Sequence, residues 1–333
     1  MSGITQKKVV RDEGGMRLDR WFKVHYPDLG FGRLQKLLRT GQVRLDGKRA
    51  DTSTRVIEGQ MVRIPPLGVT VQADDRKNAK PMSRKLVESD RQAIEQMVLF
   101  EDRDVMVLNK PAGLAVQGGS GVNRHLDGML DAFADRNGNK PRLVHRLDRE
   151  TSGVILVAKT RKAAQELTKA FRHRNTRKIY WAMVAGIPKP RNGRISTYMG
   201  RDESGEKMEV VKHGSDDAQH AVSHYKVVEQ SGQKLAWIAM RPVTGRTHQL
   251  RVHAAHMNHP IIGDPKYFNI MNWDLPGGIQ NKLHLLARRI IIPHPSGQGE
   301  IDVSAPLPPH MQQTWNLLGL SVDDYDPDLH EPD

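Results

Sequence analysis

Apolar positions recur along the chain with two different periods, and the change of period divides it. Leu18, Trp21, Phe22 and His25 fall at helical spacing, ahead of Tyr26-Pro27, where proline cannot continue a helix. After Gly30, the residues Phe31, Leu34, Leu37 and Leu38 draw a second helical stripe, and Gly41 supplies its stop. Val43-Arg44-Leu45 alternates like a strand, Asp46-Gly47 is a hairpin turn signal, and Met61-Val62-Arg63-Ile64 closes a small unit over 16–65. Residues 66–95 follow as a polar stretch of little periodicity, and we read them as a linker.

From Val98 the pattern turns to strands. Val98-Leu99-Phe100, Asp104-Val105-Met106-Val107-Leu108 and the buried run Gly153–Ala158 lead to further strands at 179–185, 221–228, 235–241 and 288–292. Thr160 caps a helix carrying Ala163, Ala164, Leu167, Ala170 and Phe171. Strands dominate and helices fall irregularly between them. The expected architecture is α+β: a mixed, mostly antiparallel sheet over 96–310, behind a small α/β module, with 311–333 as a C-terminal segment.

Charge narrows the partner. Lys and Arg exceed Asp and Glu by 51 − 38 = 13, and the last eleven residues, DDYDPDLHEPD, hold six acids. The excess elsewhere points to a polyanion, nucleic acid before membrane. Within 16–65, Arg33, Lys36 and Arg39 share a helix face of one sign, where a merely solvated face would mix signs. The absence of cysteine excludes a thiol nucleophile, a disulfide scaffold and a zinc–thiolate site. No apolar run approaches the length of a membrane helix, and the N-terminal MSGITQKKVVRDEGG lacks a signal-like apolar stretch. We expect a soluble, cytoplasmic, monomeric protein.

Two polar clusters could carry chemistry. His145-Arg146-Leu147-Asp148-Arg149-Glu150-Thr151-Ser152 stands before the buried strand; if extended, it points Arg146 and Asp148 to one side and His145 and Leu147 to the other. By itself this is as compatible with an ordinary turn closed by a local ion pair. The second cluster, RPVTGRTHQLRVHAAHMNHPIIGDP, starts at Arg241. Its His253, His256 and His259 recur every three residues as metal ligands on a helix flank can, with Asp264 in reach of the same set. No HExxH glutamate or cysteine completes that set, so we expect no metal. There is no Walker A, GxGxxG or nucleophile-elbow motif, and Gly118-Gly119-Ser120-Gly121 reads as a flexible loop.

The two regions resemble known families. The run from Met16 to Ile64 is similar to the S4 RNA-binding module, which implies that Arg33, Lys36, Arg39, Arg44 and Lys48 face RNA. HRLDRETSGVILVAKT, the Lys178–Ala182 run KIYWA and RPVTGRTHQLRVHAAHMNHPIIGDPKY resemble, in order, the A-type family of ribosomal large-subunit RNA pseudouridine synthases. NKPAGLAVQGG upstream and LHLLARRIIIPHP downstream fit the same family, and the overall likeness is greatest to its large-subunit pseudouridine synthase C subgroup.

The resemblance implies a uridine isomerase with Asp148, Tyr180 and Arg251 as catalytic residues, Arg146 opening the RNA, and Leu283 or Leu285 lining the pocket. It implies no cofactor, because isomerisation gains and loses no atom. A carboxylate working in a dry pocket needs a cation beside it, and Arg251 is the expected partner through a forked pair. Large-subunit (23S) ribosomal RNA is the leading substrate. Transfer RNA, a non-catalytic RNA-binding or ribosome-assembly role, and a metal-dependent nuclease or hydrolase built on the histidines are the alternatives.

Overall fold

The computed structural model describes residues 4–10, 13–26, 29–67, 84–118, 122, 124–135, 139–173, 175–205, 207–215 and 217–332. Pro27, the glycine-rich loop from Gly119 to Gly121 and residues 68–83 of the expected linker lie outside them. The chain divides into two units, Met1–Ser83 and Arg84–Asp333.

In the first unit, strand β1 (Thr5–Lys8) precedes helices α1 (Leu18–His25) and α2 (Phe31–Arg39), then β2 (Arg44–Leu45) and β3 (Met61–Ile64). The apolar stripes do what their spacing requires. Leu18, Trp21 and Phe22 of α1 and Leu34 and Leu38 of α2 are buried with Val43, Val62 and Ile64. Asp46 and Gly47 both take positive φ in the turn after β2, as a tight hairpin needs. The unit starts earlier than residue 16, because β1 pairs antiparallel with β3, Lys8 opposite Met61. The wholly exposed side chains of β1 give no apolar signal to find it by.

The second unit begins with α3 (Arg84–Glu95), so this part of the expected linker is helical. Its signal is faint because few of its anchors are aliphatic. Ile94 is fully buried, buried Asp90 is paired with Arg124 at 2.8 Å, and Arg91 lies over the Phe133 ring. Next come β4 (Val98–Glu101), β5 (Val105–Lys110), α4 (Leu126–Met129), β6 (Arg142–Leu143), β7 (Ser152–Ala158), α5 (Arg161–Arg172) and β8 (Arg177–Ala185). Then follow β9 (Asn192–Arg201), β10 (Met208–Val211), β11 (Gln219–Ser231), β12 (Leu235–Pro242), α6 (Gln249–His256), β13 (Leu285–Pro293), β14 (Glu300–Ser304), α7 (Pro309–Leu318) and α8 (Pro327–His330). Among the described residues eleven strands form one mixed sheet, in the order β10-β9-β11-β12-β8-β13-β7-β5-β4, with β14 beside β13 and β6 beside β7. All pairings are antiparallel except β7 with β13.

Alternation along the strands sorts the core onto the two faces. Trp181 and Trp237 pack on one face with Trp315 of α7, while Ala182, Ile238 and Met240 pack on the other against Leu250 and Ala254 of α6. The acidic tail joins the first face. Tyr325 lies 5.0 Å from the Trp181 ring, and the buried Glu331 carboxylate pairs with Arg177 and, at 3.1 Å, with Arg289. Among the described residues no helix is long and apolar enough to cross a membrane.

Candidate active site

The one parallel pairing makes β7 and β13 start side by side, and the site is built there. Their backbones approach so closely at Gly153 that a Cβ would stand 2.2 Å from the Ala287 carbonyl oxygen, and its φ is +110°. Only glycine fits. The preceding segment alternates as its sequence suggests: Arg146 is exposed, Leu147 is buried in the core, and Asp148 opens into a cleft of about 440 Å³. His145 turns inward and accepts the Leu156 N–H through Nε2 at 2.8 Å, which requires an unprotonated nitrogen there. Burial, helped by Lys178, pushes this imidazole down to about 3.

Lys110, from the NKPAG segment, fastens the same loop from behind. It is fully buried and donates to the carbonyls of Pro111, Leu114 and Arg149 at 2.8–3.0 Å. Burial lowers its ammonium to about 8, against the pull of Glu150 and Asp148. Arg149 adds a second tie, its carbonyl accepting from the Gly113 N–H and its Nε donating to the Gly113 carbonyl. Asp148 is therefore held between two anchored neighbours, Leu147 in the core and Arg149 on the NKPAG turn.

The facing wall is the loop from Val243 to His248 and the first turns of α6. Gln249 staples it with all its polar capacity. Its NH₂ donates to the Val222 carbonyl and the Ser223 hydroxyl, and its oxygen accepts from the Thr244 hydroxyl and the Arg246 N–H. Arg251 is almost wholly buried and extends toward the cleft. Its fork is not made with Asp148 as expected. Nε and Nη2 clasp buried Asp264 at 2.7 Å each, and Nη1 lies 3.5 Å from Asp148 Oδ2. The chain reverses between Ile261 and Asp264, so Asp264 takes the Nε–Nη2 edge of the guanidinium and Nη1, on the other side, faces Asp148. Gly263 makes this turn with φ +68°, where a Cβ would meet the Lys282 carbonyl at 2.1 Å. Burial works against the Arg251 cation, but the bond and charge of Asp264, reinforced by Asp148, raise its pKa above the ordinary value.

His248 completes the ring of contacts. The Tyr267 hydroxyl accepts the Met208 N–H and is hydrogen-bonded to His248 Nδ1, 3.0 Å away. The other ring nitrogen, Nε2, lies 3.9 Å from Asp148 Oδ2. Burial lowers this imidazole against the pull of Asp148. Arg251 also lies over the Tyr267 ring at 5.3 Å. Tyr180, on β8, lines the same cleft, and burial followed by the nearby Asp148 charge raises its hydroxyl well above the ordinary phenol. Arg146 crosses to the facing wall and donates to the Thr247 hydroxyl at 2.9 Å. Around the cleft stand Arg146, Arg172, Lys178, Arg246 and Arg251, with Asp148 the one carboxylate among the described residues of its lining. The arrangement suits an anionic polymer carrying a reactive carbon to a single carboxylate.

Of the residues expected at the site, the cleft brings together Asp148, Tyr180, Arg251, Arg146 and Leu285. Leu283 is not among them. It precedes β13, where the chain passes Gly263, and it is buried in the cluster of Leu250 and Ile261, beside a separate cavity. The three histidines do not converge: His253 is bonded to the Thr197 hydroxyl and His259 to the Ala185 carbonyl. Among the described residues no group of three or more His, Asp or Glu is placed to hold a metal. The module residues Lys36, Arg39 and Lys48 are exposed, Arg33 is bonded to the Leu67 carbonyl, and Arg44 bonds the Gly41 and Gly47 carbonyls. The histidine, glutamine and threonine of THQLR, together with Lys110, are the site residues that sequence reasoning left without a role, and Asp264 was weighed there only as a metal ligand. Their clustering around Arg251 in the sequence was the available signal for the first three.

The buried histidines predict acid sensitivity. His145 is held down to about 3, and His253 and His284 to about 4, each by burial first. A folded pKa below the unfolded value means that unfolding takes up a proton as pH falls below about 6.5. Each such histidine should therefore cost the fold about 1.4 kcal/mol per pH unit between about 6 and 4. His145→Gln, which keeps an acceptor, should remove one proton from the pH dependence of urea unfolding. An unchanged dependence would show that His145 is already protonated in the fold.

The comparisons with known proteins agree on one family. A family model described as RNA pseudouridylate synthase matches residues 104–256. The chain is 33% identical to the ribosomal large subunit pseudouridine synthase C of Buchnera aphidicola over 301 residues, covering 90% of this chain and 92% of that protein. It is 32% identical to the mitochondrial RNA pseudouridine synthase 4 of Arabidopsis thaliana, covering 92% of this chain and 80% of that protein. Among solved structures, human RNA pseudouridylate synthase domain containing 4 superposes with a TM-score of 0.59 at 29% identity, over 72% of this chain and 98% of that one.

Proposed function

The chain belongs to the RNA pseudouridine synthase family, and from that premise we propose that it converts uridine to pseudouridine in large-subunit ribosomal RNA, with Asp148 as the acting carboxylate. The observation that carries the reading is the cleft itself. Among the described residues it holds one carboxylate, with the Arg251 guanidinium at 3.5 Å and the Tyr180 phenol in the same lining. Several of the most similar curated relatives, including that of Vibrio cholerae at 32% identity, are named as ribosomal large subunit pseudouridine synthase C, which supports the choice of RNA.

In this mechanism the target uridine leaves its stack at a cost of a few kcal/mol, and Arg146 lets go of Thr247 to occupy the vacated space. Tyr180 offers its ring to the base. Asp148 assists cleavage of the N1–C1′ bond at C1′, as glycosidase carboxylates do. The detached uracil turns, C5 bonds to C1′, the C5 proton leaves and N1 takes up a proton. Atoms balance within the nucleotide, so the chemistry asks for no cofactor. The direct test uses a large-subunit ribosomal RNA transcript labelled with tritium at uridine C5, whose label must be released to water. No release from this transcript, with release from transfer RNA transcripts, would transfer the reading to that substrate.

We assign the first unit the role of an S4-type RNA-binding module, on the strength of its exposed Lys36, Arg39 and Lys48. Replacing all three by Gln should flatten the log–log salt dependence of RNA binding by about two units, at about 0.7–0.9 per phosphate contact. The loss of affinity should shrink as salt rises. Binding isotherms at several salt concentrations read this directly, and an unchanged slope would remove the module from the RNA interface.

A further inference from the structure

Isomerisation moves one proton, from C5 of the turned base to N1, and a group in the cleft must carry it. Among the described residues, the titratable side chains of the lining besides the arginines are His145, Asp148, Lys178, Tyr180 and His248. His145 spends its Nε2 lone pair on the Leu156 N–H inside the fold. Burial raises the Tyr180 hydroxyl, so it gives up its own proton too reluctantly to serve as a base. Lys178, though lowered by burial, must likewise shed a proton before it can accept one. A carboxylate is ordinarily a weaker base than an imidazole, by about two to three pH units. His248 remains.

His248 stands at the start of α6 with φ +53° and ψ +18°, a left-handed conformation that residues other than glycine seldom take. A position required only to begin the helix would be suited by Gly or Asn. An outlying backbone beside a reactive carboxylate points to a use for the side chain. Nδ1 is bonded to the Tyr267 hydroxyl at 3.0 Å, which fixes the ring, and Nε2 lies 3.9 Å from Asp148 Oδ2. N1 and then C5 are bonded to C1′, the carbon on which Asp148 acts, so a nitrogen beside that carboxylate is in reach of both. Such contacts tighten once substrate is bound. Burial lowers the imidazole; Asp148 and Asp264 pull it up, while Arg251 and Lys266 push it down. The net lowering leaves the ring uncharged at neutral pH, with one lone pair to offer.

We propose that His248 is a further catalytic residue, the base that carries the proton from C5 to N1 through Nε2. The proposal rests on the reading of the protein as a pseudouridine synthase and assigns a step which that reading leaves open. In it, Nδ1 holds the resting proton and donates it to the Tyr267 hydroxyl, so the lone pair of Nε2 faces the base. Once C5 has bonded to C1′, C5 still carries its hydrogen, N1 is joined to C6 by a double bond, and the Asp148 carboxylate is free again. Nε2 takes the C5 proton. The C5–H electron pair becomes the C5–C6 double bond, the N1–C6 π pair moves onto N1, and N1 takes the proton from the imidazolium. His248 ends as it began, and the Asp148 charge beside it stabilises the imidazolium meanwhile. The ring is partly exposed, so the proton it holds exchanges with water and a C5 tritium label is still released.

The test compares the full-length wild type with His248→Asn on large-subunit ribosomal RNA transcripts carrying hydrogen or deuterium at uridine C5, with pseudouridine counted after nuclease digestion. Asn tolerates the left-handed backbone and is no base. Its kcat should fall by about 100-fold or more, the scale of a lost general base, while KM stays within about three-fold. The deuterium isotope effect on kcat should exceed that of the wild type, because loss of the C5 proton becomes the slow step. The wild-type kcat should decline as pH falls below about 6.5, where protonation takes the lone pair, and the variant should lack that decline. If His248→Asn melts early, His248→Gln reads the same quantities. A kcat near the wild-type value in a folded variant would overturn the assignment. So would a slow variant that keeps both the wild-type isotope effect and the acid limb, since His248 would then act only through the fold. Failure of the wild-type protein to form any pseudouridine would instead refute the family chemistry, so the two failures are distinguishable.

Discussion

Asp148→Asn is expected to abolish pseudouridine formation while leaving RNA affinity within a few-fold of the wild type. The amide is nearly isosteric and the loop is held by its neighbours, since Leu147 stays in the core and the Arg149 carbonyl stays on Lys110 and Gly113. What is lost is the negative charge that assists departure of the base. The rate should fall by roughly 10³-fold or more, as when a single acting carboxylate is removed from other enzymes. Single-turnover tritium release with saturating variant protein, beside a filter-binding isotherm, separates the two quantities. A variant with near-normal turnover would take the chemistry away from Asp148, and one that fails to bind would make Asp148 part of the RNA contact.

The second large effect is expected one contact further back. Asp264 carries no solvent exposure and accepts the whole Arg251 fork, together with the backbone N–H groups of Lys266 and Tyr267. Asp264→Asn leaves a buried guanidinium without its matching charge, a change that typically costs about 3–5 kcal/mol. The freed Arg251 loses the geometry that aims Nη1 at Asp148. We expect a lowered melting temperature and a turnover reduced about 100-fold at saturating RNA. Arg251→Lys should resemble it, because one ammonium cannot serve a fork and a third direction at once. If Asp264→Asn melts early but turns over normally at low temperature, Asp264 supports the fold and not the site.

Arg251 shows where sequence reading reaches its limit. The loop from His145 to Ser152 was legible because strand alternation assigns each residue a side, and Arg146, Leu147 and Asp148 obey it. The requirement for a cation near the carboxylate was legible from electrostatics alone. Which carboxylate takes the fork was not, because it depends on the turn at Gly263 that returns Asp264 to α6. Lys110 is a similar case: two carbonyls of its own turn, Pro111 and Leu114, meet its ammonium together with that of distant Arg149, and spacing along the chain does not encode the meeting.

In the fold, long strands with apolar alternation were visible, and those whose inward positions are small or polar were not. β9 interrupts its inward Ile195 and Met199 with Gly193, beneath the Tyr225 ring, and Thr197, bonded to His253, which breaks the apolar alternation that would announce a strand. Helix α3 was hidden in the same way by buried Asp90, which takes an Arg124 partner where an aliphatic residue would have announced a helix. The acidic tail, legible only as charge, is ordered on the sheet because Glu331 answers Arg177 and Arg289.

The measurement that bears most directly on the whole account is a map of pseudouridines across large-subunit ribosomal RNA from cells lacking this protein, complemented with either the wild-type chain or Asp148→Asn. The account predicts that specific pseudouridines vanish in the deletion, return with the wild-type chain and stay absent with Asp148→Asn expressed to the same level. An unchanged map in the deletion, or sites restored by Asp148→Asn, would contradict it.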